Sequence, residues 1–148
     1  MSFETALSRM AAFCSTSEHC ESEVRTKLEK ADMADEDIQR VVDRLYEEQY
    51  LDTTRYCRAF SRDKLRFDHW GRVKIQQALR MKGLPESDIR VALQALPEDE
   101  YRQILADVLA QKERSLRQED EYTLRGKLMR FAAGRGFTLE EILSSLSD

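Results

Sequence analysis

Four arginines, Arg55, Arg58, Arg62 and Arg66, recur at intervals of 3, 4 and 4. At 100° per residue on an α-helix they share an arc of about 80° and form a row about 16 Å long. Tyr56, Phe60 and Phe67 fall near the opposite side, so one face of this helix should bury while the other presents four guanidinium groups. The planar guanidinium fork bonds carboxylate and phosphate bidentately, so the chemistry on offer is anion recognition. The alternative is a solvated face whose charges are met by the chain's own acids. Arg72, Lys74, Arg80 and Lys82 follow but scatter around the next helix. With the four arginines, Arg72, Lys74 and Lys82 complete the candidate contact set. Trp70 precedes them at a loop-like position. An exposed Trp beside cations can stack on a base; the alternative, which we favour, is packing into a junction between helices.

Catalytic chemistry is poorly provided for. The two histidines, His19 and His69, lie far apart in the chain, and no Ser-His-Asp or Cys-His pairing is evident. Cys14, His19 and Cys20 match no common zinc spacing and lack an obvious fourth ligand. There is no Walker loop and no G-x-G-x-x-G. The expectation is a protein that is not an enzyme and holds no metal or cofactor.

Charge is distributed unevenly. Residues 1–54 hold 6 Lys/Arg against 13 Asp/Glu, a net of −7. Residues 55–90 hold 10 against 4, a net of +6. Residues 91–148 hold 8 against 11, a net of −3, which brings the whole chain to −4. A basic middle between acidic ends points to a localised anionic partner or to polar contacts between neighbouring units. No apolar run approaches the ~20 residues needed to cross a bilayer, and the N-terminus does not read as a signal peptide. An odd number of cysteines, Cys14, Cys20 and Cys57, fits a reduced cytoplasmic protein. A monomer without membrane contact is expected.

The elements that must position these residues repeat. Val24, Leu28, Met33, Ile38 and Val42 are separated by 4, 5, 5 and 4 residues. Ile75, Leu79, Leu84, Ile89 and Leu93 repeat the spacing 51 residues later, and Leu128, Ala132, Phe137, Ile142 and Leu146 repeat it 53 residues after that. A period near 50 residues marks tandem supersecondary units. With charged residues at 35%, few Pro or Gly and no strand-period alternation, each unit reads as three helices. The predicted fold is all-α, three tandem three-helix repeats in an elongated, curved array. The predicted divisions are 1–50 (acidic), 51–96 (basic) and 97–148. Ser15 with Glu18 and Thr138 with Glu141 read as capping boxes, and Asp35 and Asp52 as N-caps. Gly83 and Gly136 sit where a left-handed C-terminal stop belongs, but the first unit has Asp32 there.

Tyr50-Leu51-Asp52, Tyr56-Cys57-Arg58-Ala59-Phe60, Gly71-Arg72-Val73-Lys74-Ile75, Leu79 and Lys82-Gly83-Leu84 together resemble the signature of the RecX regulatory proteins. The resemblance covers essentially the whole chain and is strongest over residues 50–93. Gln49 stands where the family usually has Gly, Thr53 where a second acid usually follows, and Cys20 where a Ser often opens the second helix. The resemblance implies three tandem three-helix repeats. It also implies a regulator that binds the RecA recombinase filament on single-stranded DNA and modulates, most often inhibits, its recombination, ATPase and co-protease activities. That role would place the chain in DNA repair and the SOS response. Two other readings stand beside it: a helical module that binds DNA directly but weakly, given the net charge of −4, and a helical scaffold for another protein.

Overall fold

A computed structural model of the chain describes residues 1–147, which form nine α-helices and no strand. The first three are α1 (Phe3–Thr16), α2 (Glu21–Lys30) and α3 (Asp35–Glu47). They are followed by α4 (Thr53–Arg66), α5 (Arg72–Met81) and α6 (Glu86–Gln94), then α7 (Glu98–Ser115), α8 (Glu121–Gly134) and α9 (Leu139–Ser147).

The repeated apolar spacing folds as helix, turn, helix in all three copies. Its first two residues lie in α2, α5 or α8, its third in the following turn, and its last two in α3, α6 or α9. Thirteen of the fifteen residues are buried, and Met33 and Leu146 pack partly buried against them. Each buried Leu, Ile or Phe contributes about 1.5–3 kcal/mol, so the skeleton accounts for the fold and leaves the outer faces to charge.

The three turns close identically. Met33 N–H donates to the Leu28 carbonyl, Leu84 N–H to Leu79 and Phe137 N–H to Ala132, each at 3.2 Å. The preceding residue is left-handed in every case: Asp32 at φ 60°, Gly83 at 81° and Gly136 at 101°. These are the paired bonds of a Schellman stop. Asp32 takes the glycine's conformation, so the first unit keeps the turn at the cost of backbone strain. Gln49, at φ 61°, likewise closes α3 in the conformation that the expected Gly would adopt without penalty.

Two expectations at helix ends need correcting. Ser15 does not open a capping box, because α1 runs on to Thr16 and the Ser15 hydroxyl donates back to the Ala11 carbonyl at 2.7 Å. The cap of α2 forms at Cys20, whose N–H donates to Glu23 Oε1 at 3.0 Å. Asp35 is the first helical residue and Ala34 the N-cap; Asp35, Glu36 and Asp37 together face the positive end of the helix dipole. The box at Thr138 and Glu141 forms as expected, with reciprocal bonds of 2.9 and 3.1 Å.

The core divides unevenly. One apolar cluster joins α1, α2 and α3. The other runs without a break through α4 to α9 and also takes in Cys20. The second and third units therefore share a core, and their junction brings backbone against backbone. Gly71 N–H donates to the Arg135 carbonyl at 2.8 Å, and Val73 N–H to Gly136 at 3.0 Å. Arg72 N–H donates to the Tyr101 hydroxyl at 3.1 Å. Three otherwise orphaned donors at the start of α5 are thus met by groups of the third unit. The first unit, by contrast, meets the second through Cys20 alone of its buried apolar side chains and through ion pairs, Glu18 with Arg55 and Glu23 with Lys82.

Candidate functional site

Asp52 caps α4 by accepting from the Arg55 N–H at 2.9 Å. Tyr56, Cys57, Ser61 and Leu65 turn inward and are buried, which leaves Arg55, Arg58, Arg62 and Arg66 exposed on the opposite face. Phe67 departs from expectation. It was placed on the buried side with Tyr56 and Phe60, yet it is 76% exposed. It is the C-cap, so its side chain leaves the helix where the packed face has already ended.

The row is not uniform. At one end Arg55 pairs with Glu18 through Nε and donates from Nη2 to the carbonyls of Gln49 and Tyr50 at 3.1 and 3.3 Å. At the other end Arg66 grips Glu100 with a fork, Nε to Oε2 at 2.7 Å and Nη2 to Oε1 at 3.0 Å. The Arg66 hydrogen bond holds the Glu100 carboxyl below its ordinary value. Between these ends, no hydrogen bond or ion pair engages the guanidiniums of Arg58 and Arg62 among the described residues. Both line a shallow groove of about 420 Å³, together with Glu18, Asp52, Thr54 and Ala59.

The other candidate cations lie elsewhere. Arg72 is committed within the fold: it donates to the Leu93 carbonyl at 3.2 Å, to Glu98 at 2.9 Å and to Glu141 at 3.3 Å, and its guanidinium lies 3.9 Å from the Tyr101 ring centroid. Trp70 packs edge-on to Phe60, on the side of α4 away from the arginines, with Lys64 and Lys74 each 4.7 Å from its ring centroid. Junction packing, the preferred expectation, describes this half-buried Trp. Lys82 lies 3.9 Å from Glu23 and 6.0 Å from the Phe60 ring centroid. The structure thus gathers Arg55, Arg58 and Arg62 around one groove, extends the row to Arg66, and leaves Arg72, Lys74 and Lys82 outside it.

All three cysteines are free and buried. Burial pushes the thiol of Cys14 up to about 11 and that of Cys57 up to about 12, which keeps them protonated and poorly nucleophilic. Among the described residues no cluster of metal-ligating side chains forms, and no helix is long and apolar enough to cross a membrane. A larger depression of about 690 Å³ lies between α7 and α9, and Glu98, Asp99, Glu140 and Glu141 make it acidic.

Comparison with known proteins matches the three helical units in order. Residues 6–45 match the RecX first three-helix domain, residues 52–93 the second and residues 98–145 the third. A "Regulatory protein RecX" from Prosthecochloris aestuarii is 32% identical over 144 residues, spanning 97% of this chain and 92% of that one. Another from Pseudomonas putida is 34% identical over 130 residues, spanning 88% and 81%. A longer relative from Clostridium acetobutylicum is 27% identical and is matched over 65% of its length. A crystal structure of regulatory protein RecX superposes with a TM-score of 0.90 at 25% identity, covering 99% of this chain and 73% of that one. The RecX of Lactobacillus salivarius shares the fold, with a TM-score of 0.86 at 14% identity over 98% of this chain and 94% of that one. By the order, extent and similarity of its three helical units, the chain belongs to the RecX family.

Proposed function

We propose that this protein binds the RecA recombinase filament on single-stranded DNA and restrains its recombination, ATPase and co-protease activities. The observation that carries this function is the match of all three units to the family's three domains in the family's order. A row of helical units suits the task, since successive units can contact successive subunits of a filament. Within the candidate contact set, Arg58 and Arg62 supply the available charge. Arg55 and Arg66 share theirs with Glu18 and Glu100, Arg72 pairs with Glu98 and Glu141 and Lys82 with Glu23, and Lys74 lies over the Trp70 ring. The protein acts as a monomer in the cytoplasm. Co-sedimentation with RecA filaments, followed by strand exchange at stoichiometric protein, tests this: binding with slowed exchange supports it, and neither binding nor slowing contradicts it.

A second function, direct binding to DNA, draws support from the Lys74 ammonium, which lies beside Trp70 and has no acidic partner among the described residues. It predicts a mobility shift of single-stranded DNA without recombinase that weakens steeply with salt. A flat titration at low salt removes it.

A further inference from the structure

We infer that Arg58 and Arg62 receive two carboxylates, one helical turn apart, from a single helix of the recombinase protein, and not the phosphates of its DNA. This rests on the proposed function and specifies the chemistry of its contact. The row itself displays the ligand it is built for. Its outer members are each filled by a glutamate from a neighbouring element, Glu18 on Arg55 and Glu100 on Arg66, and the Arg66 pair has the bidentate form that suits guanidinium to carboxylate. The inner members have no such partner. Arg58 and Arg62 are four residues apart, which places their Cβ atoms about 5–6 Å apart on one face. Carboxylates at i and i+4 of an apposed helix have the same separation, so one helix can satisfy both.

The surroundings disfavour a polyanion. Glu18 and Asp52 line the groove beside the arginines, Glu100 closes the far end of the row, and the chain carries a net −4. A phosphate backbone running along α4 would gain only two free arginine contacts, since the arginines at either end are already neutralised by Glu18 and Glu100. Two such contacts correspond to a salt slope of only about −1.4 for a single strand, too shallow to anchor a filament regulator. A helix offering two acids among neutral or basic residues meets the same charges favourably.

The test uses the full chain, labelled, titrated onto RecA filaments on single-stranded DNA, with Arg58→Glu/Arg62→Glu and Arg58→Lys/Arg62→Lys variants. A panel of RecA variants in which i, i+4 acidic pairs are reversed to Arg completes the set. The expected results are a loss of at least about tenfold for the Glu variant, a smaller but clear loss for the Lys variant because the fork is gone, and recovery of the Glu variant by one reversed RecA pair. Unchanged melting curves confirm that both variants fold. Wild-type affinity in the Lys variant, or equal losses on free single-stranded DNA, would assign the pair to phosphate and overturn the inference. Failure of every reversed pair to restore binding overturns it as well. A change in sedimentation of the Glu variant alone would assign the pair to a second copy of this chain and do the same. If the Glu variant binds the filament like wild type, this inference fails while the regulatory function stands; if wild type does not bind at all, the regulatory function fails and takes the inference with it.

Discussion

The backbone contact between Gly71 and Gly136 makes the junction of the second and third units unusually sensitive to a single methyl. In Gly71→Ala the new carbon would lie 2.4 Å from the Gly136 carbonyl oxygen, 2.5 Å from its carbon and 2.6 Å from the Phe137 nitrogen. Ordinary contact begins near 3.4 Å, so the turn must retreat by about 1 Å, and no flexible side chain can yield instead. The retreat breaks the Gly71 to Arg135 and Val73 to Gly136 hydrogen bonds of 2.8 and 3.0 Å. Each bond is worth about 1 kcal/mol, and overpacking adds about 1–3 kcal/mol, for a total of about 3–5 kcal/mol. In a chain of this length that lowers Tm by about 10 °C. Gly71 itself sits at φ −82°, so Ala introduces no backbone strain and the whole effect is steric. Gly83→Ala is the matched opposite: φ is +81° and nothing lies within 4 Å, so only strain of about 1 kcal/mol is expected. Thermal melts followed by circular dichroism compare the two. If Gly71→Ala melts no lower than Gly83→Ala, the tight junction is wrong.

Three further outcomes follow from the same geometry. Gln49→Gly relieves the left-handed strain at φ 61° and should raise stability by about 0.5–1 kcal/mol in urea, after the added flexibility of the unfolded chain is subtracted. Burial raises the Glu23 carboxyl, but hydrogen bonds from Cys20 and the nearby Lys82 ammonium more than offset it and leave it below the ordinary 4.5; the Arg72 hydrogen bond likewise lowers Glu98. A depressed folded pKa stabilises above the unfolded value and loses that contribution as pH falls through the folded one. The urea midpoint should therefore hold from neutrality to about pH 5 and drop below about 4.5, and the drop should be shallower in Glu23→Gln. Finally, with the Cys14 and Cys57 thiols buried and pushed up to about 11 and 12, both should resist a thiol-reactive dye at pH 8 and react fully in urea; rapid native labelling of either would contradict their burial.

The apolar skeleton was legible in the sequence because its spacing encodes a local event, two helices joined by a left-handed stop, and local geometry is written in nearby residues. The arginine row was legible for the same reason, since helical periodicity alone places it on one face. What occupies that row was not. Arg55 meets Glu18 from 37 positions away, and Arg66 meets Glu100 from 34, and no spacing rule links such pairs. Arg72 looked like one more surface cation, yet it reaches across 69 positions to Glu141. Gly136 read as a local turn residue and Gly71 only as part of the family signature, and their contact depends on how the third unit docks. Phe67 continues the helical spacing of Tyr56 and Phe60 but stands at the C-cap, beyond the packed face.

The most direct test of the central claim is the ATPase rate of RecA on single-stranded DNA, titrated with wild-type protein and with the folded Arg58→Glu/Arg62→Glu variant. The rate should fall to a low plateau at stoichiometric wild type and stay near its starting value with the variant. An unchanged rate with wild type would contradict the proposed regulatory function, and equal inhibition by the variant would show that the open arginine pair on α4 is not the contact.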